Sequence, residues 1–258
     1  MDCDNKKFSK FLTDYATTLL ECGATTVRIE KNVLRIAEAY GYKSEINIYP
    51  LHVEVWLRRL ADKDNELIAM NKKIQKSAIN FNTVSELSRL SWQCYDLHLD
   101  LDEAIRRYED VLSTPRIPFW VVAVLTSLAN ASFCRLFGGD FMSMLIVLIA
   151  TAAGFYSKDV LISRYKIDFR LAIIVCSCIS AILSCSGHVF GLGDTPDIAL
   201  ATSVLYLVPG IPYLNSVSDF INGHYISAIS RLIQSCTITV CLAVGLYIGL
   251  LLMNAQVA

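Results

Sequence analysis

The chain has 258 residues, 23 Lys and Arg against 24 Asp and Glu, 54% hydrophobic residues and a mean hydropathy of +0.44. A net charge of −1 gives no electrostatic reason for a nucleic-acid or strongly acidic partner. Of the 47 charged residues, 35 precede Ile117, so residues 1–116 read as a soluble domain and 117–258 as a membrane domain.

The N-terminus is polar and leads into an amphipathic helix, with no secretory signal pattern. Phe8, Leu12, Tyr15, Leu19 and Cys22 recur at helical spacing, and Gly23 is a natural stop. Thr25 or Thr26 can cap a second helix, whose apolar face carries Ile29, Val33, Ile36 and Tyr40 before Gly41 ends it. Alternation through Ile46 and Ile48, then Leu51, Val53, Val55 and Leu57, predicts two strands with an edge or bend at Pro50. Ala61–Asn65 resembles a hairpin turn before a strand at Leu67–Met70. Two helices follow, one on Val84, Leu87, Leu90, Cys94 and Leu97, the other on Leu101, Ile105, Tyr108 and Leu112. His52 and Glu54 share a strand face with Trp56 and Arg58. With no third ligand or nucleophile at a recognisable spacing, a solvated face explains them better than a catalytic pair. The chain has no G-x-S-x-G, H-E-x-x-H, P-loop or G-x-G-x-x-G pattern, and no cofactor or metal is expected. The nine cysteines form no C-x-x-C pair and read as small packing residues.

Five membrane spans are predicted. Ile117–Phe137 is entered through Pro115 and Pro118, with Trp120 at the interface and Asn130 deep inside beside Thr126 and Cys134. Phe141–Ser157 follows the Gly138-Gly139-Asp140 turn and has a small-residue stretch at Ala150–Gly154. A loop from Lys158 to Arg170 carries four basic residues, and Leu171–Gly187 is the third span. The fourth, Ile198–Ser218, is uncharged yet holds Pro209, Gly210 and Pro212 near its middle. Each proline lacks an N–H and displaces the carbonyl four residues earlier, here Leu205 and Val208. In hydrocarbon such a break survives only against protein or a watery cavity. Thr202, Tyr206, Pro209, Tyr213 and Ser216 follow one helical face, so a polar stripe is expected to cross the break. The fifth span covers Ser227–Met253. The four basic residues of the Lys158–Arg170 loop predict that the soluble domain lies on the cytoplasmic side of the membrane.

Asn130, the tyrosine stripe, Asn215, Asp219, Arg231 and Gln234 would be costly facing lipid, and a shared polar interior is expected for them. Asp219, Arg231 and Gln234 are candidates for a gate or an ion pair. Tyr206, Pro209, Gly210, Tyr213, Asn215 and Asn130 are candidates for substrate contact, with N–H groups at a half-helix start able to hold a carboxylate.

Three segments carry a family resemblance: C-G-A-T-T-V-R-I-E at Cys22–Glu30, F-G-G-D at Phe137–Asp140, and L-V-P-G-I-P-x-L-N-x-V-x-D at Leu207–Asp219 with Gly223-His224 beyond it. The chain resembles the threonine/serine exporter family, in particular its two-component branch with a dicarboxylate (succinate) exporter subunit. The resemblance implies secondary export of a small polar metabolite, with a second small multi-span membrane subunit as partner and homo-oligomerisation left open. The expected fold is therefore an all-α five-span helical membrane bundle preceded by a soluble α+β N-terminal domain. Alternatives of another class are a membrane-anchored enzyme and a ligand-sensing protein with its activity in the soluble domain.

Overall fold

The computed structural model describes residues 2–60, 67–74, 78–115 and 117–253, the side chains of residues 2, 3 and 188 excepted. The hairpin turn expected at 61–65 lies outside these residues. The chain divides into two compact units, Met1–Pro115 with Ile211–Ile233, and Arg116–Gly210 with Gln234–Ala258. The described residues are mostly helical, with one small sheet among them in the N-terminal region.

In the first unit, α1 (Asp2–Glu21) and α2 (Thr26–Ala39) are joined by a tight turn. Gly23 takes φ +85° there, a conformation that side chains disfavour. Thr25 is the N-cap of α2, its hydroxyl accepting from Arg28 N. Strands β1 (Tyr42–Ile48), β2 (His52–Arg59) and β3 (Leu67–Lys73) form an antiparallel sheet in sequence order. Tyr42 pairs with Arg59 and Ile48 with Val53, and His52 pairs with Lys73. Pro50 sits in the β1–β2 turn, which closes where Tyr49 N donates to His52 O. On β2, Val53, Val55 and Leu57 are fully buried while His52, Glu54 and Trp56 are half-exposed, the period-two pattern of a sheet covered on one face.

Helices α3 (Phe81–Asp96) and α4 (Leu101–Ser113) are capped by Asn80 and Asp100. Each such cap contributes about 1 kcal/mol. The core gathers Phe8, Leu12, Tyr15 and Leu19 from α1, Ile29, Val33 and Ile36 from α2, the β2 residues, and Leu87 and Leu90 from α3. Tyr15 donates its hydroxyl to Leu87 O, so its polar end is satisfied within the core. Burial pushes the Cys94 thiol up to about 11, which suits a packing role.

In the second unit, α5 (Phe119–Leu136), α6 (Phe141–Asp159, continued by a π turn Val160–Arg164) and α7 (Phe169–Phe190) are followed by α8 (Pro196–Ser203). Asp140 caps α6 through Ser143 N and accepts from the Thr195 hydroxyl. The last helix, α10 (Tyr225–Leu252), follows α9 (Gly210–Ile221). Its Gly245 and Gly249 lie where added Cβ atoms would strike Ile174, Ser177, Cys178 and Ala181 of α7, a close approach of small-xxx-small type.

Four described helices are long and apolar enough to cross a membrane: Phe119–Leu136, Phe141–Arg164, Phe169–Gly187 and Tyr225–Leu252. The bent pair Pro196–Leu207 and Gly210–Ile221 makes a fifth if it is taken as one span. Large apolar side chains such as Leu128, Leu145, Ile149, Val240 and Leu251 stand exposed on α5, α6 and α10, as they do when lipid is the solvent. Two expectations change. Helix continues to Arg164 instead of ending at Ser157, so Lys158 lies within helix α6 and not in a loop. Pro212 breaks nothing, because α9 already begins at Gly210 and the first turn of a helix needs no proline N–H.

Candidate functional site

The interruption is short. After α8 come a 3-10 turn at Leu205–Leu207 and an extended Val208 (φ −65°, ψ 125°), the conformation a following proline imposes. Helix resumes at Gly210, and the two helical pieces are bent by 64°. Leu205 O accepts from Val208 N at 3.1 Å and Val208 O from Gly210 N at 2.9 Å. The two carbonyls that the prolines displace from a regular helix are therefore both bonded, which removes a cost of several kcal/mol each in hydrocarbon. The same bonds limit what the start of α9 can offer an anion, since Gly210 has used its N–H and Pro212 has none. The continuous polar stripe does not form as such, because the helical register stops at Val208. Thr202 donates to Ile198 O at 2.7 Å, and Ser216 to Ala228 O at 2.7 Å.

Within the second unit, Tyr206 stands at the edge of the break. Its hydroxyl is 3.1 Å from Ser180 Oγ, and Ser180 donates to Ala150 O at 3.3 Å, so the phenol is the donor to Ser180. A methyl group at Gly154 would coincide with the Tyr206 hydroxyl, so glycine is what lets α6 receive the ring. Lys158 directs its ammonium over Phe155, 4.7 Å from the ring centroid, and over Tyr206 at 5.8 Å. Asn130 is buried and donates to Thr151 Oγ1 at 3.1 Å, and Thr151 reaches Ser203 O at 3.4 Å. That chain ties α5, α6 and α8 together. Pro209 is buried, whereas Gly210 is exposed and an added Cβ there would meet nothing within 4 Å.

Within the first unit, the α9–α10 hairpin clasps the α1–α2 turn. Asn215 Nδ2 donates to Gly23 O at 2.8 Å, and Arg231 Nη2 to Ala24 O at 3.0 Å. Asp219 Oδ1 accepts from Thr26 N, the first amide of α2, at 3.1 Å. Asp219 Oδ2 lies 3.2 Å from Arg231 Nη1, with the Asp219 side chain fully buried and that of Arg231 15% exposed. The helix therefore receives a carboxylate at its positive end, while the turn's carbonyls receive an amide and a guanidinium. His224 Nε2 is 3.3 Å from Glu30 Oε2, and Ser227 donates to Ile48 O at 3.1 Å. The motif at Cys22–Glu30 and the motif ending at Asp219 are thus two sides of one joint.

The predicted site residues separate accordingly. Asn130, Tyr206, Pro209 and Gly210 belong to the second unit, and Asn215, Asp219 and Arg231 meet in the first. Tyr213 is half-buried in the first unit, and Gln234 is exposed in the second. Ser180, Gly154 and Lys158 are not among the predicted site residues, yet all three meet Tyr206. The usable signal for the last was Phe155 three residues earlier on the same helical face. His52 Nε2 and Glu54 Oε1 are 3.5 Å apart, the His52 ring stacking on Tyr49, and no metal-binding cluster occurs among the described residues. A surface hollow of about 520 Å³ involves Lys7, Tyr40, His98 and Asp102, with neither His52 nor Glu54 on its wall.

The family described as "Putative threonine/serine exporter" matches residues 10–253. The chain belongs to this family. It is 24% identical to a "Probable succinate transporter subunit YjjP" of Klebsiella aerogenes, over 96% of this chain and 94% of that one. It is 27% identical to the Escherichia coli K12 protein of the same description, over 90% and 89%. A "Probable threonine/serine exporter" of Mycobacterium tuberculosis is 20% identical over 96% of this chain but only 47% of its own length. No solved structure matches. Family membership and the apolar helices make the chain a multi-pass membrane exporter and not an enzyme.

Proposed function

We propose that this chain is one component of a secondary exporter at the inner membrane, moving threonine and serine or a short dicarboxylate such as succinate out of the cytoplasm. The observation that carries this reading is the break at Val208–Pro209, where a span otherwise apolar enough for lipid gives up regular helix beside Tyr206. Interrupted helices at membrane depth are stable where they line a solute path. In this reading the bent pair crosses as the fourth of five spans, in a membrane domain 117–258. Tyr206, Pro209, Gly210, Tyr213, Asn215 and Asn130 are the residues proposed for solute contact, and Asp219, Arg231 and Gln234 those proposed for gating. The basic residues from Lys158 to Arg170 favour a cytoplasmic domain 1–116. The word "subunit" in the description of two relatives supports a second small membrane protein as partner. With no P-loop in the chain, an ion gradient or the solute's own gradient supplies the drive.

The test is efflux of labelled threonine, serine and succinate from vesicles, with and without a co-expressed small membrane partner. A variant carrying both Pro209→Ala and Gly210→Ala is the decisive control. A Cβ at Gly210 meets no atom, and alanine at 209 adds a helix-compatible N–H, so the protein is expected to insert normally. Export should nevertheless be abolished. Efflux at the wild-type rate in that variant refutes a path through the break.

A further inference from the structure

We propose that Lys158, with the Tyr206 and Phe155 rings beside it, is the anchor for the carboxylate of the transported solute. The proposal rests on the exporter reading and adds to it the group that recognises the substrate class. Lys158 is six residues short of the end of the α6 helix at Arg164, roughly 9 Å at the usual rise per residue. A lysine placed there to reach the membrane surface would extend toward that end. Its ammonium turns the other way, over the ring of Phe155 one turn earlier and toward Tyr206. That is the direction in which helical side chains lean, and it takes the charge toward the break.

What the ammonium lacks there is an anion. Among the described residues no carboxylate comes within 4.0 Å of it, and it has no hydrogen bond or ion pair. Asp159 is its neighbour in sequence, but it is exposed and accepts from the Ser163 hydroxyl at 3.1 Å. Two aromatic faces offer a cation partial compensation for lost water, and less than a carboxylate does. Tyr206 cannot drift away, because Gly154 and Ser180 fix its hydroxyl. The arrangement is a cation held in place, with aromatic walls and no carboxylate within ion-pair distance among the described residues. Threonine, serine and succinate differ in their amine and hydroxyl groups but share a carboxylate, the one group that Lys158 can take in all three.

The full chain, reconstituted with its membrane partner, is assayed for efflux against increasing succinate and, separately, threonine. Succinamide and threoninol, which lack the carboxylate, serve as competitors. Lys158→Gln is expected to raise the half-saturating concentration of whichever solute the wild type exports by about tenfold or more. Lys158→Arg should stay within about threefold, and competition by the carboxylate-free analogues should not change in either variant. If Lys158→Gln does not reach the membrane, Lys158→Met keeps the aliphatic stem and makes the same test. Wild-type half-saturation in the neutral variant, with only the maximal rate lowered, overturns the anchor and leaves the exporter standing. A wild-type protein that exports neither solute overturns the exporter reading, and the anchor with it.

Discussion

Asp219→Ala is the perturbation that the joint between the α1–α2 turn and the α9–α10 hairpin makes most informative. The substitution removes a fully buried carboxylate that lies 3.2 Å from Arg231 Nη1 and accepts from Thr26 N at 3.1 Å. Arg231 loses the carboxylate beside it, and removing one partner of a buried ion pair costs about 3–5 kcal/mol. The Thr26 amide also loses its acceptor, and a buried unsatisfied N–H adds about 1–3 kcal/mol. Taking about 4 kcal/mol as the lower total, and about 2–4 °C per kcal/mol for a unit of this size, the unfolding midpoint should fall by about 10 °C. Fluorescence-detected size exclusion of heated, detergent-solubilised protein measures it. Exchanging the two charges, as Asp219→Arg with Arg231→Asp, keeps their mutual attraction but sets a cation against the Thr26 N–H and a carboxylate against the Ala24 carbonyl. The exchange should therefore fail to recover the loss. A midpoint within about 3 °C of wild type for Asp219→Ala, or full recovery by the exchange, refutes the argument that the polarity of the turn gives the pair its value.

Gly154→Ala puts a methyl group on the Tyr206 hydroxyl, so it should cost about 1–3 kcal/mol and lower efflux, and Tyr206→Phe in the same chain should return part of the stability in the same heating assay. Hydroxyl donors from Ser143 and Thr195 hold the Asp140 carboxyl well below the usual carboxylate range, so its contribution is present above the ordinary aspartate pKa and is lost only as pH falls through the lowered value. The gap in unfolding midpoint between wild type and Asp140→Asn should accordingly stay constant from neutral pH down to about 4 and narrow only in stronger acid. Replacing His52 and Glu54 together by alanine should leave efflux at the wild-type rate, since the pair sits half-exposed on a strand face; loss of transport without loss of protein would give that face a function.

How legible the protein was differs between its two kinds of information. Helical and strand periods marked α1 to α4 and β2, because each element buries one face and water selects the pattern residue by residue. The apolar runs marked the spans for the same reason, with lipid as the solvent. The stripe from Thr202 to Ser216 misled, because a face was read through a helix that stops at Val208. Pro212 misled similarly, since a proline in the first turn of a new helix looks the same in sequence as one in the middle of an old one. Positive charge usually ends a span, so the sequence places Lys158 in a loop; only the continued helix and the two rings beneath the ammonium show otherwise.

Local composition thus marks which segments are apolar enough for lipid, since that property belongs to each short segment alone. The pairing of Gly23, Ala24 and Thr26 with Asn215, Arg231 and Asp219 was left to the tertiary structure. The reason is physical. A backbone carbonyl or amide at a turn is the same group whatever residue carries it. Which side chain, some 190 positions away, comes to satisfy it depends on where the chain returns in space.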